Sequence, residues 1–210
     1  MCMKRKFAII GLSMGWFAVI TQLVLILINR EDSIPETLIK FFSYFTICTN
    51  ILVATFFTAQ VVKTDKFPFN ILRTKGALTA LTACIFIVGL VYQVALRSVW
   101  EPKGIQILID ELLHSIIPLY MLYYWFISIK RDNLQIKPIS AWLAYPLLYI
   151  LFVLLRGHFS NYYPYPFLNV TKIGYSKTFL HICIILGTAI VTTVILVFIG
   201  KQKLKTLQKI

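Results

Sequence analysis

Leu108-Ile109-Asp110-Glu111-Leu112-Leu113-His114-Ser115-Ile116-Ile117-Pro118-Leu119-Tyr120-Met121-Leu122-Tyr123-Tyr124-Trp125-Phe126 is apolar enough to cross a membrane, yet its first turns carry two carboxylates and an imidazole. In a helix, Asp110 lies four residues and Glu111 three residues before His114, so either carboxylate shares a face with the ring. Pro118 follows His114 by four residues, has no N–H to give to the carbonyl of residue 114, and presses its ring against that turn. The spacing therefore predicts a helix opened or bent at His114. Ionisable groups inside a membrane segment are energetically expensive and are functional candidates by default.

The rest of the chain has the same character. Of 210 residues, 59% are hydrophobic, 15% aromatic and only 14% charged, with mean hydropathy +0.79. A soluble domain is nearer about 45–50% apolar. A spanning helix needs about 20 apolar residues, and six stretches qualify, roughly 7–29, 38–62, 74–97, 107–129, 139–156 and 178–200. The expected fold is an all-α integral membrane protein, with one membrane domain over 1–210. The first stretch follows Lys4-Arg5-Lys6 but is too long for a signal peptide and lacks a small-residue cleavage site, so it reads as an uncleaved helix.

The net charge of +13 would suggest nucleic-acid binding in a soluble protein. Here it follows topology, and no nucleic-acid partner is expected. The termini and even loops hold Lys4, Arg5, Lys6, Lys63, Lys66, Arg73, Lys75, Lys130, Arg131, Lys137, Lys201, Lys203, Lys205 and Lys209, twice the number in the odd loops and their edges. The positive-inside rule then puts both termini in the cytoplasm. Asp65 accompanies the second basic loop. The acids Glu31, Asp32, Glu36, Glu101, Asp110 and Glu111 fall outside. Cys2, Cys48, Cys84 and Cys183 have no metal-ligand spacing and offer no outer pair to oxidise, so free thiols are expected. No Walker motif, GxSxG, HExxH, dinucleotide fingerprint or CxxC site is present, and neither a metal nor a cofactor is expected.

Within 38–62, Ser43, Thr46 and Asn50 follow an i, i+3, i+7 spacing that places them on one helix face, with Thr49 beside it. Hydroxyls in spanning helices commonly bond back to a carbonyl of the preceding turn or across to a neighbour. An amide such as Asn50 needs partners in hydrocarbon. Thr46 lies eight residues past Leu38, about 12 Å deep, and His114 seven residues into its own helix, about 10 Å deep. Their shared depth makes a nucleophile–base pair conceivable, with Asp110 or Glu111 orienting the ring.

Elsewhere, Gly89 suits a close helix approach. Arg97 is placed either to pair with Asp110 or Glu111 or to snorkel to the interface, and its position at a helix end favours snorkelling. Tyr123-Tyr124-Trp125 and Trp100 read as interface anchors, and Pro146 as a kink. Arg156 ends its helix. The long connection 157–177, rich in Tyr and Pro around Tyr165, reads as an ordered cap over the outer mouth, with a glycosylation triplet at Asn169-Val170-Thr171. His181 reads as an interfacial histidine reaching for headgroups, and the basic tail as lying on anionic lipid.

Several phrases in the chain carry a resemblance. They are Phe41-Phe42-Ser43-Tyr44-Phe45-Thr46 followed by Thr49-Asn50, Leu112-Leu113-His114 running to Pro118, and Arg156-Gly157 with Tyr163-Pro164-Tyr165-Pro166-Phe167-Leu168-Asn169. They resemble the bacterial six-helix Pr-six-Pr membrane proteins, relatives of the androgen-induced-gene-one family of membrane hydrolases. The resemblance implies a multi-pass protein of the bacterial plasma membrane. By likeness to the hydrolases it also implies cleavage of fatty acid esters of hydroxy fatty acids, or similar lipid esters, with Thr46 as nucleophile and His114 as base. The alternative is a non-catalytic six-helix protein that binds or transports a lipid or small solute. Membrane lipids are the expected partners on either reading.

The topology has a direct check. Cysteine-accessibility labelling of single-cysteine variants in 157–177 reports the outer side, and labelling from the cytoplasm alone inverts the orientation drawn from the basic bias.

Overall fold

A computed structural model describes residues 3–62, 64 and 66–208; Cys2, Lys63, Asp65 and Lys209 lie outside the described residues. Among the described residues the chain is all-helical, with no strand. Six helices are long and apolar enough to cross a membrane: Met3–Ile28, Phe45–Val62, Ala77–Leu96, Ile105–Ser128, Ile136–Ser160 and Val170–Leu207.

Among the described residues ten α-helical segments make up these spans and the connections between them. Helix α1 is Met3–Ile28, α2 is Ile34–Phe42 and α3 is Phe45–Val62. The short α4 (Phe69–Leu72) leads to α5 (Ala77–Val91), which continues through a π-turn over Tyr92–Leu96. Next, α6 (Ile105–Glu111) passes through a second π-turn (Leu112–Ile116) into α7 (Ile117–Ser128). Finally, α8 (Ile136–Ala141) and α9 (Ala144–Ser160) form the fifth span and α10 (Val170–Leu207) the sixth.

Helix α5 is the centre of the bundle. Its side chains from Ala77 to Ile85 are buried without interruption, the pattern of a helix that is apolar all round and enclosed by others. By contrast, α9 and α10 expose long aliphatic and aromatic faces, such as Leu148, Phe152, Phe179 and Phe198, a surface suited to lipid.

Small residues set the closest packing. A Cβ added at Gly15 of α1 would lie 2.9 Å from Ala54 Cβ and 3.2 Å from Ala54 Cα on α3, and one at Gly11 would lie 2.7 Å from the Phe57 ring. Backbone approach through glycine is how apolar helices gain dispersion contact when the hydrophobic effect cannot drive them together.

The structure departs from the sequence reading in several ways. The stretch 38–62 is two helices, broken at Ser43 and Tyr44, so Ser43 is not on a continuous face with Thr46 and Asn50; its Oγ donates to Ile39 O at 2.6 Å instead. Thr46 therefore sits in the first turn of α3. Pro146 breaks its span one turn upstream, at Trp142 and Leu143, where its ring excludes a helical carbonyl. The sixth span begins at Val170 and bends at Gly174, where φ is 77°. The connection 157–177 thereby shrinks to the residues between Ser160 and Val170.

The aromatic belt at 123–125 is mostly not a belt. Tyr123 is exposed, but Tyr124 and Trp125 are buried, and Trp125 Nε1 donates to Thr79 Oγ1 at 3.0 Å. A helix in a bundle turns only part of its circumference outward, so three consecutive aromatics cannot all face lipid.

The α1–α3 contact is testable. Gly15→Ala overpacks against the α3 backbone and lowers stability by about 1–3 kcal/mol. Gly187→Ala, where an added Cβ meets nothing within 4 Å, is neutral or slightly stabilising. Thermal unfolding of the two detergent-purified variants measures the difference.

Candidate functional site

The opening of the helix at His114 takes the form of the π-turn, whose closing bond runs from Ile117 N–H to Leu112 O across five residues. Pro118 denies the His114 carbonyl its helical donor. That carbonyl lies against Gly89 of α5, where an added Cβ would come within 2.8 Å of His114 O and 3.2 Å of Pro118 Cβ. The close approach foreseen for Gly89 is thus at the histidine itself. The facing π-turn of the third span, closed by Arg97 N–H to Tyr92 O at 2.8 Å, stands beside it.

The imidazole is held on two sides. His114 Nδ1 is 2.9 Å from the backbone carbonyl of Asp110 and 3.8 Å from the Asp110 carboxylate. A carbonyl only accepts, so Nδ1 carries the proton in this geometry and Nε2 of the neutral ring keeps its lone pair. Tyr92 stacks on the ring, with centroids 4.1 Å apart and planes 15° from parallel. The Tyr92 hydroxyl donates to Asp110 Oδ2 at 3.0 Å, giving a buried carboxylate the partner it needs. Asp110 thus orients the ring, but through its main chain. Glu111 does not: its carboxylate turns outward to Arg97 at 2.5 Å. Arg97 is consequently paired rather than snorkelling, with a second bond to Gln93 Oε1 at 2.8 Å.

Asn50 links α3 to this turn. Its Nδ2 donates to Thr46 O at 2.8 Å and to Leu113 O at 3.3 Å, and the residue is fully buried. Both donors are thereby spent on carbonyls, and among the described residues Oδ1 is buried without a partner. Asn50 is a strut behind the site rather than a wall of it.

In front of the strut, Thr46 and His114 both wall a cavity of about 870 Å³, together with Asp110, Tyr92, Tyr44 and Tyr165. Among the described residues Thr46 and His114 share no hydrogen bond. Thr46 is held instead by Tyr165, whose hydroxyl accepts from Thr46 N–H at 3.3 Å and lies 3.3 Å from Thr46 Oγ1. The first bond caps an N–H that the start of α3 leaves unpaired. The second is long for a hydroxyl pair. Burial pushes the Tyr165 phenol up to about 12, so it stays protonated and able to donate.

The segment between α9 and α10 roofs the cavity. Tyr162, Pro164, Tyr165 and Pro166 line it, and Tyr162 donates to the Tyr44 hydroxyl at 3.0 Å. Phe167 stacks on Tyr165 at 5.1 Å. Gly157 of α9 lets the Tyr163 ring lie against the helix, because a Cβ there would come within 2.1 Å of that ring. Arg156 does not enter the cavity. It pairs with Glu36 at 2.9 Å and covers the Tyr162 ring at 4.7 Å, tying α9 to α2. His181 is turned inward, with Nδ1 3.1 Å from Phe167 O, instead of reaching for headgroups. Asn169 caps α10 by accepting from Lys172 N–H at 3.1 Å.

Other participants were not singled out by sequence. Tyr92 and Tyr44 sit in apolar runs where a phenol resembles any aromatic. Gln22 of α1 bonds Gln106 of α6 at 2.7 Å across the cavity wall, and an isolated amide in the first span was a readable signal. Arg30, Lys40 and Lys103 share the mouth with Glu31, Asp32 and Glu101.

Comparison of the chain with protein-family models, curated proteins and solved structures gave no match in any of the three.

The strut can be tested apart from any activity. Asn50→Ala leaves Leu113 O without its side-chain donor and lowers stability by about 1–3 kcal/mol, while Tyr92→Phe, which keeps the stack on His114 but strips the buried Asp110 carboxylate of its donor, lowers it at least as much. Thermal midpoints of the purified variants give the order.

Proposed function

We propose that the chain is a multi-pass protein of the bacterial plasma membrane, with both termini cytoplasmic, that binds an amphipathic lipid ester in this cavity and hydrolyses it. The observation that carries the reading is the convergence of Thr46 and a singly protonated His114 on one cavity with a polar floor and a mouth of mixed charge. The resemblance to the Pr-six-Pr proteins and the androgen-induced-gene-one hydrolases supports the membrane setting and the ester substrate.

In this mechanism Tyr165 donates to Thr46 Oγ1, which frees the threonine proton for another acceptor. His114 Nε2 takes that proton as Thr46 Oγ1 attacks the ester carbonyl. The start of α3 lies at the cavity, and its positive end favours the oxyanion. Collapse of the tetrahedral intermediate breaks the ester C–O bond, and the alkoxide leaves with the proton from His114. Water from the mouth, deprotonated by the same nitrogen, then releases the acid from the acyl-threonine. The long Thr46–Tyr165 contact leaves the threonine side chain free to turn toward the histidine.

One observation favours a second reading. Thr46 Oγ1 is engaged by Tyr165 and not by His114, as in a non-catalytic protein that binds or carries a lipid or small solute. Hydrolysis of a fatty acid ester of a hydroxy fatty acid by detergent-purified protein separates the two. Thr46→Ala and His114→Ala each lower the rate by about 10²–10⁴-fold, and the double variant is no slower than the worse single one. Wild-type rates in both single variants, with monodispersity unchanged, leave the binding reading.

A further inference from the structure

We propose that the opposite end of the bundle holds a binding site for a phosphate-bearing anion, either the headgroup of an anionic phospholipid or free inorganic phosphate. A second cavity, of about 580 Å³, opens there between the start of α1, the α4–α5 turn and the end of α7. This is a volume typical of small-molecule sites.

Its rim is cationic from three segments distant in sequence: Lys4 and Arg5, Arg73 and Lys75, and Lys130. One acid, Asp132, shares the rim; it lies 3.7 Å from Lys75 and also accepts from Gln135 at 3.0 Å. A basic bias at one end of a membrane protein follows from topology alone and by itself marks no site. Two further observations point to a ligand.

The first is Ser128, the last residue of α7. It lines the cavity and is only 9% exposed, and among the described residues its hydroxyl has no hydrogen-bond partner. A buried hydroxyl left unpaired incurs its desolvation penalty in full, and an anion oxygen in the cavity would accept from it. The second is α5, a helix of 15 residues that starts at this cavity. Gly76 at its N-cap provides no side-chain cap, and Lys75 and Leu78 on either side of it line the cavity, so the positive end of the helix adds to the local positive field. Leu78 and Tyr124 add an apolar wall beside the cations, as the first carbons of a glycerolipid require.

The test uses the full chain purified in detergent, titrated with dioctanoyl phosphatidylglycerol, dioctanoyl phosphatidylcholine and inorganic phosphate, with binding read by native mass spectrometry. Phosphatidylglycerol binding at least about tenfold tighter than phosphatidylcholine assigns the lipid headgroup. Phosphate binding that displaces the lipid, or occurs without lipid preference, assigns the free anion. In either case the Arg5→Gln, Lys130→Gln double variant weakens binding by about 30-fold, the equivalent of about 1 kcal/mol for each basic residue. Ser128→Ala weakens it several-fold, and Lys40→Gln at the other mouth leaves it unchanged. The proposal is overturned if phosphate does not bind and phosphatidylglycerol binds less than about tenfold tighter than phosphatidylcholine, if the double variant binds like wild type, or if Lys40→Gln loses as much as the double variant does.

Discussion

Much of the structure follows from the carbonyl of His114, which has no helical donor because residue 118 is proline. In an apolar setting a main-chain oxygen without a donor is costly, and the surrounding helix must adjust. Here the helix widens into a π-turn, and the oxygen presses on Gly89 of α5, which has no side chain to bar it. The same widening lets Asp110 O receive the His114 ring and Leu113 O receive Asn50. The orientation of the imidazole and the anchoring of α3 to the fourth span thus share an origin in one missing N–H.

The tyrosines answer the same requirement elsewhere. The break between α2 and α3 exposes main-chain groups on both sides of Tyr44. Tyr149 donates to Ser43 O at 2.8 Å, and Tyr165 accepts from Thr46 N–H. Tyr145 meets the Thr49 hydroxyl at 2.8 Å one turn further in. A phenol is suited to this work because its ring is at home among aliphatics while its tip supplies one donor and one acceptor. The break is therefore stabilised by the fifth span and the roof rather than by its own residues.

This explains what the sequence made legible. Spans depend on length and apolar composition, both local, and six were readable. Prolines announce their disruption locally, so the opening at His114 and the break near Pro146 were readable too. The break at Ser43 and Tyr44 has no proline or glycine; its partners are Tyr149 and Tyr165, more than a hundred residues away. Tyr124 and Trp125 were misread because composition does not report which side of a helix its neighbours cover. The roles of Thr46 and Asn50 divided for a similar reason: both are polar on one helix, but a single turn separates the wall of the cavity from the strut behind it.

The two ends of the first cavity are held by different forces. Its floor rests on main-chain bonds and ring stacking inside the bundle, which dissolved ions hardly touch. Its rim rests on the Arg156–Glu36 and Lys40–Asp32 pairs, the second of them 2.5 Å long, at the edge of solvent. At about 0.15 M salt charges are screened over roughly 8 Å, so these contact pairs keep most of their attraction, while the longer-range field of Arg30, Lys103, Glu31 and Glu101 at the mouth is damped. A change in ionic strength therefore alters the field that an approaching ligand meets while α2, the roof and the histidine stay where they are, so the entrance of this cavity answers to the electrolyte outside and its interior does not.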